Sequence, residues 1–202
     1  MRAVCIPLCV ALWANVGVAE ETKAPGTYFG LPGKAGAKTV VFVYDHTGSM
    51  DLVKADAAGE LMRCVRALDA KVKFNIVCFS GEIKALSPRP IPATDANKAS
   101  AAKLMDGLRY TGNGGVTEAL KQAKNMRPDL VVFITDEPAK DESDLPNAKA
   151  RGVRVDAALV TSPVAMPDAY KLTERWSRGS GGSVVYLSID RSGEPYKLVP
   201  MK

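Results

Sequence analysis

Histidine is almost absent from this sequence, and cysteine and aromatic residues are scarce. The 202 residues include one histidine, His46, and four cysteines, and aromatic side chains make up 6%. A single histidine excludes zinc sites of the His-Glu-x-x-His type, and there is no Gly-x-x-x-x-Gly-Lys-Ser/Thr motif to bind nucleotide phosphates. No serine or cysteine is suitably placed beside that histidine, so the sequence gives no hydrolytic triad either.

Clusters of positive charge are also lacking, although the chain carries a formal net charge of +5. An excess of positive charge can indicate binding to nucleic acid or to an anionic surface. Here the 27 lysines and arginines are scattered, with no cluster of five or more. We interpret the charge as a solvated surface and expect no nucleic acid among the partners.

The amino terminus has the pattern of a secretory signal peptide, which we place at residues 1–19. Arg2 supplies a positive charge, residues 3–18 are mostly apolar, and residues 17–19 offer small side chains for cleavage. Cleavage would leave Glu20 first and predicts export to the periplasm or the cell exterior. The alternative, an uncleaved anchor, would need a longer run, since a spanning helix takes about 20 apolar residues. No later stretch is long and apolar enough, so we expect no stable membrane span after cleavage.

The remainder of the chain alternates between short apolar runs and segments with helical spacing. The predicted strands are 40–44, 73–79, 82–86, 130–135, 153–160 and 184–187, and the predicted helices are 51–69, 94–108, 116–126 and 167–178. Continuous apolar runs such as 40–44 are typical of strands covered on both faces. The alternation predicts a doubly wound α/β fold, a mostly parallel sheet with helices on both faces.

This α/β domain is predicted to span residues 38–190. Residues 20–37 hold several glycines and prolines and few large apolar side chains, which favours a linker or arm. Residues 191–202 are left as a carboxyl-terminal tail. Pro88, Pro90 and Pro92 argue against regular structure directly after the short strand at 82–86.

Polar side chains follow two of the predicted core strands, at the edge where such folds bind ligands. Asp45, Thr47 and Ser49 come directly after the first strand at alternating positions, and Asp136 ends the strand at 130–135. Carboxylate and hydroxyl oxygens are hard ligands that suit Mg²⁺, Mn²⁺ or Ca²⁺. Two converging buried carboxylates require a cation or a hydrogen-bond network.

These residues resemble the von Willebrand factor A (VWA) family. Its members carry D-x-S-x-S after the first strand, a Thr in a Gly-rich loop and an Asp in a T-D-G motif, which together form the metal ion-dependent adhesion site. Asp45, Thr47 and Ser49 match the first motif, with Thr for the first Ser, and Asp136 matches the third. The resemblance covers roughly residues 38–190, including the order of elements, and implies the Rossmann-like VWA fold.

The loop motif of that family is displaced in this chain. The family's Thr follows Gly-Gly and lies five residues before Ala-Leu, but counting back from Ala119-Leu120 reaches Gly114. Thr117, ahead of Thr111, could supply the hydroxyl, or this ligand is missing. Glu137 stands where the family has Gly, and its carboxylate could bind metal or repel an acidic partner.

The resemblance implies a non-enzymatic, metal-dependent adhesion or protein-binding module. The expected cation is Mg²⁺, with Mn²⁺ or Ca²⁺ as alternatives, and the expected partner is a protein with an exposed acidic residue. The first competing hypothesis is a haloacid dehalogenase-like phosphohydrolase, although that family needs D-x-D and the second position here is Thr47. The second is a metal-free scaffolding domain, in which Thr47 and Ser49 cap the first helix and Asp45 accepts backbone N–H bonds.

Several other side chains invite interpretation. We expect His46 to point toward solvent beside the site, and Trp176 to serve packing on the last helix. Residues 141–144, which include three acids, are expected to form a solvated loop. Cys64 and Cys78 form either one disulfide or two buried thiols, and the sequence favours neither.

Overall fold

The computed structural model describes residues 28–137, 139, 152–161, 170–193 and 197–201, and its central feature is a β-sheet. The strands are β1 Thr39–Asp45, β2 Lys73–Ser80, β3 Glu82–Ala85, β4 Ile91–Pro92, β5 Leu130–Thr135, β6 Arg154–Thr161, β7 Val184–Asp190 and β8 Lys197–Pro200. The helices are α1 Lys54–Arg66, α2 Asp95–Asp106, α3 Val116–Asn125 and α4 Lys171–Gly179, and a 3-10 turn, Gly48–Val53, precedes α1. Across these ranges, no helix is long and apolar enough to cross a membrane.

The strand order places β1 at the centre of the sheet. The order is β3-β2-β1-β5-β6-β7-β8, and β4 pairs with β2. β1 is parallel to both β2 and β5, and β5, β6 and β7 continue in parallel, whereas β3, β4 and β8 pair antiparallel. The chain leaves β1 on one side for β2 and returns on the other side as β5. The strand order therefore reverses between β1 and β5, the position at which open α/β sheets form a crevice.

Alternate side chains of the strands build two separate cores, one on each face of the sheet. Val40, Phe42 and Tyr44 of β1 pack with α1 and α2, and Val41 and Val43 pack with α3 on the opposite face. All five side chains are buried. Because successive strand residues point to opposite faces, the continuous apolar run of β1 fills both cores. The predicted doubly wound α/β fold is confirmed.

The prediction of a linker or arm over residues 20–37 requires a correction, because residues 28–37 pack into the domain. Tyr28 is fully buried, its hydroxyl donates to the Ala57 carbonyl at 3.2 Å, and Leu31 packs in the same core. Phe29 N donates to the Glu60 carboxylate at 3.0 Å. The sequence did not predict this packing, because the segment is rich in glycine and shows no apolar periodicity. Only a few large side chains anchor it.

The prediction of a carboxyl-terminal tail over residues 191–202 also requires a correction, because residues 197–200 form the edge strand β8. It pairs with β7 from Asp190↔Lys197 to Leu187↔Pro200. Leu198 is buried, and its N–H donates to the Asp56 carboxylate of α1 at 2.6 Å. A four-residue strand with one buried side chain has too short a pattern to stand out in the sequence.

The proline-rich segment carries a short strand, against expectation. β4 pairs with β2 through Phe74↔Ile91 and Lys73↔Pro92. Proline is tolerated there because β4 spans two residues at the margin of the sheet, where a missing N–H costs little.

The two cysteines of the described region are free thiols. Cys64 and Cys78 are both buried in the core that holds α1. Burial raises the pKa of the Cys78 thiol to about 12, so this side chain behaves as a small apolar group. The predicted packing role of Trp176 agrees with its edge-to-face contact with Phe133, at 6.4 Å between ring centroids. The signal peptide at 1–19, residues 20–27 and the acidic residues 141–144 lie outside the described residues.

Candidate functional site

The site lies at the carboxyl ends of β1 and β5, next to the reversal of strand order. The two strands are in register up to Tyr44↔Ile134. Asp45 is the last residue of β1, and Asp136 comes one residue after β5. The parallel pairing therefore brings two carboxylates that are 91 positions apart in sequence to the same edge of the sheet.

Asp45 is held on both of its carboxylate oxygens. It is fully buried. Oδ1 accepts the backbone N–H of Thr47 at 2.8 Å, and Oδ2 accepts the hydroxyl of Thr135 at 2.7 Å. Hydrogen bonds to a carboxylate offset part of the cost of burying its charge. The side chain is consequently fixed in one orientation at the end of β1.

Asp136 meets Asp45 directly. The two carboxyl groups lie close enough for each to affect the pKa of the other, and Ser49 lies beside the Asp136 carboxyl. The Ser49 hydroxyl also lies 3.1 Å from the hydroxyl of Thr47. The structure thus brings together Asp45, Thr47, Ser49 and Asp136, four of the five side chains predicted for the site.

Both carboxyl groups hold a proton more tightly than an exposed aspartate does. Burial raises the pKa of Asp136 to about 6, and the neighbouring charge of Asp45 contributes to the increase. Burial also raises the pKa of Asp45, against the lowering effect of its hydrogen bonds from Thr135 and Thr47. A divalent cation at this site would stabilise both charges and compete with protonation.

The donor set fits a hard cation. Within the described ranges, no group of three or more histidine, cysteine, aspartate or glutamate side chains is arranged to hold a metal ion. The candidate ligand set here is of another kind, since it combines two carboxylates with hydroxyl groups. Asp45 and Asp136 would be the charged ligands, and the hydroxyls of Thr47 and Ser49 the neutral ones. Two carboxylates with hydroxyls, and no thiol or imidazole, suit Mg²⁺ or Mn²⁺ better than zinc or copper.

A glycine-rich loop closes one side of the site. Gly48 N donates to Gly112 O at 3.3 Å, and Gly81 N donates to Gly114 O at 2.7 Å. Gly112 has φ +71°, and a Cβ there would lie 2.6 Å from Ser80 O. Only glycine satisfies both the left-handed backbone and this close approach.

The fifth predicted ligand, Thr117, lies in the first turn of α3, three residues beyond Gly114. Its role as a ligand stays a prediction. The position that the family's threonine would occupy, Gly114, donates its N–H to the Glu137 carboxylate at 3.1 Å. Glu137 therefore ties the end of β5 to the glycine-rich loop, a contact that sequence reasoning missed.

His46 does not point toward solvent, and this expectation was wrong. The side chain is 2% exposed, and its Nδ1 lies 2.9 Å from the carbonyl of Arg109. Burial lowers the pKa of His46. The ring meets Tyr110 edge to face, at 6.2 Å between centroids. The histidine is part of the packing beneath the site, and it directly follows β1, with its backbone N–H donating to the Phe79 carbonyl at 3.0 Å.

Two further residues support the site. Thr135 gives its hydroxyl to Asp45, and the same oxygen accepts the N–H of Glu137 at 2.8 Å. Tyr170 is the residue before α4. Its hydroxyl donates to the Asp136 carbonyl at 2.8 Å and lies 3.0 Å from the Val160 carbonyl. The Thr-Asp motif in the sequence could have indicated the role of Thr135. No sequence pattern around Tyr170 indicated its contact with the site.

The capping expected of a metal-free domain is only partly present. Asp45 does accept a backbone N–H, from Thr47. Thr47 itself precedes the 3-10 turn without a side-chain capping bond. Its hydroxyl lies 3.1 Å from that of Ser49 instead, and Ser49 lies beside the Asp136 carboxyl.

Comparison with known proteins identifies the fold. The chain is similar to a von Willebrand factor type A structure from Catenulispora acidiphila, with a TM-score of 0.62 and 18% identity over 76% of this chain and 39% of that one. It is also similar to the conserved hypothetical protein BatB from Bacteroides thetaiotaomicron, with a TM-score of 0.53 and 18% identity over 76% and 91% of the two chains. A third neighbour is the pilus adhesin SpaC from Lactobacillus rhamnosus GG, with a TM-score of 0.54 and 14% identity over 74% and 28%. The domain therefore has the VWA fold, a Rossmann-like α/β architecture.

Sequence comparison gives a shorter match. The human inter-alpha-trypsin inhibitor heavy chain H4 is 31% identical over 87 residues, which are 43% of this chain and 9% of that protein. The chain thus spans only a small part of this relative. No family model matches the sequence.

Proposed function

We propose that this protein is a divalent cation-dependent protein-binding domain of the VWA type. The observation that carries the proposal is the close approach of two carboxyl groups, the fully buried Asp45 and the half-buried Asp136, at the carboxyl ends of β1 and β5. Thr47 and Ser49 add hydroxyl oxygens beside the pair. This is a compact set of hard ligands at the sheet edge where the fold presents its crevice.

The four side chains have distinct roles in this proposal. Asp45 and Asp136 hold the positive charge, and Thr47 and Ser49 complete the ligand set as neutral donors. When bound, the cation supplies an open coordination position for a carboxylate oxygen of a protein partner. Thr135 and Tyr170 act as positioning residues, since they fix the Asp45 carboxylate and the Asp136 backbone.

The protein-binding role has support from the relatives. One of the solved neighbours is a pilus adhesin, which shares the fold at 14% sequence identity. The candidate site holds one buried histidine and no serine–histidine pair, so a hydrolytic role has no support there. The phosphohydrolase alternative would need a second carboxylate at position 47, where the chain has Thr47.

Isothermal titration of the protein with Mg²⁺ and Mn²⁺ tests the proposal. We expect the wild type to bind, and Asp45→Asn to bind at least ten-fold more weakly because one charged ligand is lost. Asp51→Asn is the matched control, because this exposed acid lies in the same turn and pairs with Lys54 at 2.8 Å. It should bind like the wild type.

The open coordination position is tested with Mn²⁺. Bound Mn²⁺ that keeps exchangeable water accelerates water-proton relaxation, and added acetate should reduce this effect as its carboxylate displaces water. Absence of metal binding in the wild type would contradict the proposal and favour the metal-free scaffold. Phosphatase turnover that is lost in Asp45→Asn would favour the enzyme.

We also propose that the protein acts outside the cytoplasm. The supporting observation is the signal-like pattern of residues 1–19, and the neighbours include an aerotolerance-related membrane protein from Bacteroides fragilis as well as the pilus adhesin. Intact mass and amino-terminal sequencing of the protein recovered from its native cells should show Glu20 as the first residue. Recovery of the chain with residues 1–19 attached, in the cytoplasmic fraction, would contradict export.

A further inference from the structure

A cavity of about 730 Å³ opens at the end of the sheet opposite the candidate metal site. It lies between the amino ends of β1 and β2, the carboxyl end of α3 and the connection from β3 to β4. Its lining is Thr39, Lys73, Pro88, Arg89, Pro90, Gln122, Asn125, Met126 and Arg127. This volume is within the range of small-molecule sites, about 300–1,000 Å³.

The cavity collects positive charge that nothing in the described chain neutralises. Lys73, Arg89 and Arg127 line it, and the lining includes no acid. Within the described ranges, none of these three side chains forms an ion pair or a side-chain hydrogen bond. Some cations elsewhere on the surface are paired, as in Arg63–Glu60 and Arg178–Glu174. The cavity is distinguished by three cations that line one recess with no acid among its lining residues.

Neighbouring negative groups do not cancel this charge. The carboxyl end of α3 brings a partial charge of about −0.5, small against three full positive charges. Asp129 follows Arg127 closely in the chain, and its Oδ2 accepts the N–H groups of Lys38 and Thr39 at 2.8 and 2.9 Å. Its single negative charge offsets only part of the three positive ones. The cavity retains a positive potential that attracts anions.

The walls of the cavity are held in place from beneath. Asn75, fully buried in β2, donates from Nδ2 to Ser87 O at 2.7 Å and contacts Met126 Sδ at 3.3 Å. One amide thus links the β3–β4 connection to the end of α3. Arg127 has a left-handed backbone with φ +52°, which costs a non-glycine residue energy and is retained only where its surroundings impose it.

We propose that this cavity binds a small, hydroxyl-bearing molecule with two or more phosphate or sulfate groups. Lysine and arginine are the side chains that recognise such groups, and two guanidinium forks favour bidentate contacts. Thr39, Gln122 and Asn125 offer polar groups for hydroxyls. The lining contains no aromatic side chain, so stacking on a nucleobase is not favoured.

Titration calorimetry at low salt tests the proposal with glucose 1,6-bisphosphate, a trisulfated disaccharide and uncharged glucose. We expect binding of at least one of the two anions and none of glucose. The double variant Lys73→Gln/Arg89→Gln should bind at least ten-fold more weakly, since each lost charge-assisted contact accounts for about a factor of ten. Thermal denaturation of the variants checks that they remain folded, as expected for exposed substitutions.

The matched control is Lys103→Gln/Lys121→Gln, which removes the same charge at exposed positions outside the cavity. It should bind within about two-fold of the wild type. Binding of only the phosphate ester or only the sulfate ester supports the proposal and identifies the ester class. If neither anion binds the wild type, or if both double variants weaken binding equally, the cavity is not the site and the proposal is overturned.

Discussion

At the scale of single residues, Asp45 and Asp136 have raised pKa values because burial disfavours their charged forms. Asp45 is fully buried and receives hydrogen bonds from Thr47 and Thr135. Asp136 is less buried and has its pKa raised to about 6. A proton and a divalent cation therefore compete for the same pair of carboxyl groups.

The raised pKa of Asp136 predicts a pH dependence of stability in the presence of a chelator. A carboxyl group whose pKa is raised on folding stabilises the folded state when protonated, and this contribution disappears as the pH rises through about 6. The lowered pKa of His46 acts in the opposite direction, because the unfolded chain binds a proton there as the pH falls. We therefore expect the free energy of unfolding of the wild type, relative to that of Asp136→Asn, to increase by about 1 kcal/mol between pH 7 and pH 5. Urea denaturation at each pH measures it.

The control for this effect is Asp136→Asn, which has no titrating group at that position. His46 is present in both proteins, so the difference between them isolates the carboxyl group at position 136. A difference in stability that stays flat, or that falls, from pH 7 to pH 5 would show that folding does not raise the pKa of Asp136.

At the scale of elements, the turn after β1 differs most from its sequence pattern. A single helix was expected over residues 51–69, but the chain forms the 3-10 turn Gly48–Val53 before α1. Ser49 lies in this tighter turn, beside the Asp136 carboxyl. Apolar spacing predicts which residues are buried, and it cannot distinguish a 3-10 turn from the first turn of an α-helix.

The docking of residues 28–37 on α1 predicts that this segment contributes to stability. Tyr28→Ala should lower the free energy of unfolding by about 3–5 kcal/mol, because it removes a fully buried aromatic side chain. Tyr28→Phe should cost only about 1 kcal/mol, the hydrogen bond to Ala57. Chemical denaturation of both variants measures the difference. Wild-type stability for Tyr28→Ala would mean that the segment is an arm after all.

At the scale of the whole molecule, the sheet separates two ends of opposite chemical character. Buried carboxyl groups lie at the carboxyl ends of β1 and β5, and unpaired cations surround the cavity at the amino ends of β1 and β2. The net charge of +5 gave no hint of this division, because residues such as Lys73, Arg89 and Arg127 are far apart in sequence. All three side chains are exposed, in agreement with the interpretation of the charge as a solvated surface.

The sequence by itself determined the order of the elements and the edge at which the candidate site lies. Continuous apolar runs predict strands buried on both faces, and polar residues directly after two such runs mark their carboxyl ends. These are local patterns, set by the two-residue period of a strand and the 3.6-residue period of a helix. Only the tertiary structure decided the contact between Asp45 and Asp136, the burial of His46, the docking of Tyr28 and the cationic cavity. Each depends on contacts between distant segments, which no local period records.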